Sequence, residues 1–124
     1  MLLRGNFMKR NWDLIREILV KGEELSEKEF LGETTFKEYD VNEVAYHLVL
    51  LDKAGFIEAI SNGGLNHQTR ICTGLTWEGY DFLDKIRDRT VWGRTKAILK
   101  DKGLELTFAT IKVAATKAIT DLLA

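Results

Sequence analysis

The sequence predicts an α+β domain: helical stretches on either side of one two-stranded hairpin. Three observations carry this. Apolar residues recur at helical spacing in five places, starting with Trp12, Ile15, Ile18 and Leu19. Between Gly55 and Thr76 that spacing gives way to two short β-rich runs. A turn-tolerant Asn62-Gly63-Gly64 separates the runs, so the chain can reverse there.

Each element has its own local reason. Asn11 is placed to cap a first helix over residues 11–24. Residues 25–40 crowd charges and lose periodicity, except at Thr34-Thr35-Phe36-Lys37-Glu38-Tyr39, whose β-branched and aromatic side chains predict a short strand. Val41, Val44, Leu48 and Leu51 then share one face of a second helix, and Gly55 is positioned to end it in a left-handed turn. Phe56-Ile57-Glu58-Ala59-Ile60 and Thr69-Arg70-Ile71-Cys72-Thr73 are the two strands of the hairpin. Thr76 can cap a third helix through Arg89, with Tyr80, Leu83 and Ile86 facing inward and Gly79 permitting a close contact. A fourth helical pattern starts near Val91 and is broken by Gly103. Leu104, Phe108, Ile111, Ala115, Ala118, Ile119 and Leu122 then form a last apolar stripe.

Composition narrows the function classes. The chain has 124 residues, 45% hydrophobic and 30% charged, which suits one globular domain rather than a disordered or fibrous chain. Cys72 is the only cysteine, which excludes an intrachain disulfide, a CxxC redox pair and a thiolate-rich zinc site. No apolar run is long enough for a transmembrane helix and residues 1–10 lack the core of a signal peptide, so a cytoplasmic protein without membrane contact is expected. Met8-Lys9-Arg10 looks like a second start, and residues 1–7 are read as an N-terminal extension.

The net charge of −1 hides an asymmetry. Residues 11–66 set five cations against twelve anions, whereas residues 85–102 carry Lys85, Arg87, Arg89, Arg94, Lys96, Lys100 and Lys102 against only Asp88 and Asp101. The acidic part repels phosphate, and an anionic partner would dock on the basic part.

Helix, extended segment, helix, hairpin, helix is the order of a winged helix. The stretch Val44-Ala45-Tyr46-His47-Leu48-Val49-Leu50-Leu51-Asp52-Lys53-Ala54-Gly55-Phe56-Ile57 resembles the recognition-helix signature of metalloregulator-type winged-helix repressors. Leu75-Thr76-Trp77-Glu78-Gly79-Tyr80 is similar to the passage by which many winged-helix chains leave the wing. With Met8-Lys9-Arg10-Asn11-Trp12-Asp13-Leu14-Ile15-Arg16 and the run Arg87-Asp88-Arg89-Thr90-Val91-Trp92, these pieces resemble a small winged-helix family of bacterial and phage genomes known only as a domain of unknown function. That resemblance implies a winged-helix domain over residues 8–89 and no activity. The helical extension over residues 90–124, whose last helix lies largely outside the resemblance, is expected to pack on that domain or to mediate self-association.

Two functional readings follow. In the first, the protein is a DNA-binding regulator that contacts double-stranded DNA through Asn42, Tyr46 and Lys53 on the second helix, Arg70 on the wing, and Arg89, Arg94 and Lys96, with Asn66, His67 and Gln68 adding polar groups at the wing. In the second, the scaffold is a protein-interaction module whose acidic residues 25–43 dock a basic protein. DNA binding leads because the scaffold is used that way more often. Its weak point is the outer face of the second helix, where Glu43, Val49 and Leu50 join Asn42, Tyr46 and Lys53. The last stripe, from Leu104 to Leu122, is expected to pair with a second copy in a homodimer.

No enzyme is expected, and no cofactor, metal or small-molecule substrate is evident. The sequence holds no HExxH, phosphate loop, EF-hand spacing or Ser/His/Asp grouping. His47 is read as a core histidine bonded to backbone rather than a ligand, Cys72 as a small apolar residue, and Trp12, Trp77, Trp92, Phe56, Phe82 and Phe108 as core.

Overall fold

A computed structural model describes residues 9–61 and 69–124. The extension over residues 1–7, the turn Asn62-Gly63-Gly64 and the wing residues Asn66, His67 and Gln68 lie outside the described residues. The chain is mixed α+β, with α1 (Trp12–Glu23), α2 (Val41–Lys53), β1 (Ile57–Ser61), β2 (Arg70–Leu75), α3 (Trp77–Ile86), α4 (Arg89–Asp101) and α5 (Phe108–Leu123). It divides into two compact units, Met1–Tyr80 and Asp81–Ala124, and α3 runs from the first into the second.

In the first unit α1 and α2 pack on each other and on the antiparallel β1–β2 hairpin. The buried stripe Leu14, Ile15, Ile18 and Leu19 of α1 meets the core made by Val44, Leu48, Leu51, Ile57, Cys72 and Leu75. A bulge between Glu58 and Ala59 shifts the strand register, pairing Glu58 with Gly74 and Ala59 with Cys72. The expected strand at residues 34–39 is absent. The backbone turns twice there, through Thr35 N–H to Gly32 O and Tyr39 N–H to Phe36 O, and the extended contact falls earlier, where Leu31 and Cys72 exchange two 2.9 Å backbone bonds. β-Propensity at Thr34 and Thr35 yields to turn chemistry, because the Thr35 hydroxyl accepts from Gly32 N–H at 2.9 Å.

α3 starts where Thr76 Oγ1 accepts from Gly79 N–H at 3.0 Å. Gly79 meets the residue before β1 so closely that a Cβ would collide with the Phe56 carbonyl oxygen. The helix stops at Ile86, short of the expected Arg89, because Asp88 accepts from Val91 N–H and opens α4 instead. Trp77 is 76% exposed and Tyr80 40%. Both were expected inside; turning Gly79 toward Phe56 leaves them outside, and Phe82, Leu83 and Ile86 take the buried positions.

In the second unit α5 packs along α4. Phe82 meets Phe108 edge to face at 4.9 Å. Leu104 is not part of α5. The helix begins at Phe108 because Thr107 and Thr110 form a reciprocal capping box.

Candidate functional site

α2 and α4 carry most of the residues expected to touch a partner. Both are thirteen-residue helices opened by an aspartate: Asp40 accepts from Asn42 N–H and Asp88 from Val91 N–H, each at 3.0 Å. Both end in the same motif around a left-handed glycine. At Gly55 (φ 83°) the bonds run from Gly55 N–H to Asp52 O and from Phe56 N–H to Leu51 O; at Gly103 (φ 66°) they run from Gly103 N–H to Lys100 O and from Leu104 N–H to Leu99 O.

On α2, helical periodicity brings Asn42, Tyr46 and Lys53 to one ridge. Asn42 and Lys53 are exposed, and Tyr46 is half-buried with its ring edge-on to His47 at 5.5 Å. Val49, expected on this outer face, is buried, because α2 turns six residues inward between α1 and the hairpin. The ridge therefore offers one amide, one phenol and one ammonium, with the half-buried Leu50 among them.

Arg70 projects from β2 to the end of α2. Its Nε donates to Asp52 Oδ2 at 2.7 Å and Nη1 to the Thr69 carbonyl at 3.2 Å, and the side chain is only 16% exposed. This guanidinium braces the hairpin against α2. The hairpin cation is thus already paired with a carboxylate.

His47 is fully buried with both ring nitrogens engaged. Asn11 N–H donates to Nε2 at 2.7 Å, so the ring proton sits on Nδ1 and donates to the Glu43 carbonyl at 2.8 Å. Burial pushes its pKa below the ordinary 6.5, outweighing the nearby Glu43 carbonyl and carboxylate. Asn11 also donates from Nδ2 to Glu43 at 3.2 Å and accepts from Leu14 N–H at 3.1 Å. These bonds tie α1 to α2, and the histidine is left with no free atom for a metal or a substrate. Cys72 is likewise buried, and burial raises its thiol pKa. Among the described residues no cluster of His, Cys, Asp or Glu is arranged to hold a metal ion, and no helix is long and apolar enough to cross a membrane.

α4 differs in what it exposes. Val91, Trp92, Thr95 and Leu99 are buried, and the outward centre is the small strip Thr90, Gly93 and Ala97. Arg89, Lys96 and Lys100 run along one side of that strip and Arg94 stands on the other. Arg89, Arg94 and Lys100 are exposed, and the Lys96 ammonium lies 5.3 Å from the centroid of the Trp92 ring. A Cβ at Gly93 would meet nothing within 4 Å, so the strip is open. The only carboxylate on α4 is its last residue, Asp101. Lys100, one of the cations of the basic residues 85–102, joins the same face, four residues from Lys96 and eleven from Arg89.

The stripe expected to pair a second copy lies mostly inside the chain. Ile111, Ala115 and Ala118 are buried, Phe108 and Ile119 half-buried, and only Leu104 and Leu122 are exposed. An apolar helix face finds its cover in the nearest helix, here α4.

The chain belongs to the family described as Hypothetical protein (DUF2513), whose model matches residues 9–105. It is 47% identical over 118 residues to an "Uncharacterized protein" of Haemophilus influenzae, a match covering 94% of this chain and 100% of the relative. No solved structure matches.

Proposed function

We propose that this DUF2513 protein is a DNA-binding regulator of winged-helix type, acting in the cytoplasm, whose grip on the phosphate backbone comes chiefly from α4. The order α1, Leu31 bridge, α2, β1–β2 in the first unit supports the winged-helix reading. The observation that carries the function is the outward face of α4, where four cations flank a strip of small residues. Small residues let a backbone approach closely, and cations on both sides can displace counterions from it. In this reading Asn42, Tyr46 and Lys53 are the groups that touch bases or sugar, and Arg70 acts by holding the wing to α2.

Fluorescence anisotropy on a labelled duplex across a salt series tests this. Binding should weaken steeply with salt, and the triple change Arg89→Glu, Lys96→Glu, Lys100→Glu should cut the log–log slope by about 2 to 3, near 0.9 per lost contact. No binding at low salt would end the proposal.

A second reading, docking of a basic protein, has one observation in its favour. In the acidic first unit an open groove of about 530 Å³ is lined by Glu24, Leu25, Glu29, Phe30, Leu31 and Lys21 among others, and Phe30 is 60% exposed. Recovery of a stoichiometric partner that survives nuclease and is lost on Phe30→Ala would favour this reading over the first.

A further inference from the structure

α5 has a second face that the DNA reading does not use. Its buried side, Ile111, Ala114, Ala115 and Ala118, is turned inward. On the opposite side Ala109, Val113, Thr116, Thr120 and Leu123 are all exposed, Val113 at 73% and Leu123 at 82%. Their separations of four, three, four and three residues are those of a two-helix seam. The two threonines do not break it. Thr116 donates its hydroxyl to the Lys112 carbonyl and Thr120 to the Thr116 carbonyl, each at 2.9 Å, so each presents mainly its methyl group to a partner.

The seam continues into a groove of about 320 Å³ whose apolar lining includes Ile98, Leu99, Leu104, Ala109 and Val113. The turn after α4 builds its edge, since the bond from Leu104 N–H to Leu99 O holds Leu104 there. The charged residues lining it are Lys102 and Lys117. On the seam's own flanks stand Lys112 and Lys117, at the positions that decide which helix pairs with which. Lys117 shares an exposed contact of 3.5 Å with Asp121, too weak to neutralise the flank.

From these features we propose that the α4–α5 groove and the α5 seam together form a docking site for an amphipathic helix of a partner protein, with apolar residues along one side and Asp or Glu on both flanks. A second copy of this chain is disfavoured, because its own Lys112 and Lys117 would be set against these lysines. A flat anionic membrane is disfavoured as well, because the seam is one residue wide and ends in a concave groove, which fits a cylinder. The site does not depend on α4 contacting DNA, and its failure would leave that reading standing.

The test uses the full chain and two fluorescein-labelled, helix-stabilised peptides with leucine at the seam positions, one flanked by Glu and one by Lys. The Glu-flanked peptide should bind, and the Lys-flanked one should bind about tenfold more weakly or worse. Val113→Glu should abolish binding with circular dichroism and melting temperature unchanged. Lys112→Glu together with Lys117→Glu should reverse the preference between the peptides. The proposal is overturned if neither peptide binds, if the double change leaves the preference as it was, or if phosphatidylglycerol vesicles are bound in a Val113-dependent way and the peptides are not. Sedimentation showing a dimer that Val113→Glu converts to monomer would assign the seam to self-association and overturn it equally.

Discussion

α2 and α4 have the same length, the same aspartate at the start and the same left-handed glycine at the stop, yet they expose different chemistry. α2 buries six residues and leaves one cation outward. α4 buries four and surrounds a strip of small residues with cations. The beginning and end of a helix are written in a few neighbouring residues, whereas the use of its faces depends on what packs against it. α2 has neighbours on two sides, in α1 and the hairpin, and that costs it most of its surface.

The sharpest way to break this comparison is to remove the one buried polar side chain of each helix. His47→Leu should destabilise the protein by about 1–3 kcal/mol in urea melts, because the Asn11 amide loses its acceptor at a part-buried site. Thr95→Val should be close to neutral, since the Thr95 hydroxyl bonds only to the Val91 carbonyl of its own helix, at 2.7 Å. Equal losses in the two variants would refute the account of α2.

Acid extends the same contrast. The pKa of His47 is lowered in the folded chain, so the unfolded chain binds the proton more readily and stability must fall as pH drops through about 6.5. Below that range the ring would have to give up Nε2 as an acceptor. In His47→Leu this part of the pH dependence should vanish, which stability curves between neutral and mildly acidic pH would show.

The shared ends predict equal effects. Gly55→Ala and Gly103→Ala should each cost about 1–2 kcal/mol, the strain of a side chain in the left-handed region, with no collision added because neither site has a neighbour within 4 Å. A large difference between them would mean that one of the two turns is held by something other than its glycine. Smallest of all is the stability effect of Arg89→Ala with Lys100→Ala, within about 0.5 kcal/mol, because both side chains are exposed. Unchanged melting with weakened DNA retention would separate the packing of α4 from its proposed contact with DNA.

The sequence made the helix boundaries legible where a cap or a positive-φ glycine stood: Asn11, Thr76, Gly55 and Gly103 all act as their residue types suggest. It misled where two local signals competed. Thr34 and Thr35 looked like strand, but residues 33–39 turn, and Leu31 makes the pairing to Cys72. Trp77 was expected on an inward face, yet the close approach at Gly79 turns it outward. In α5 the apolar stripe was read correctly as needing cover, and α4 supplies it within the same chain. The exposed seam on the other side was hidden because threonine does not register as apolar until its hydroxyl is seen bonded to its own helix.

Asn11 uses every polar group it has: its amide on His47, its side-chain oxygen on Leu14, its side-chain nitrogen on Glu43 and its carbonyl on Ile15. Deamidation there would replace a donor by a second carboxylate 3.2 Å from Glu43, so chemical ageing of one amide would loosen two helices together. An Asn11→Asp chain that melts like the parent would contradict this.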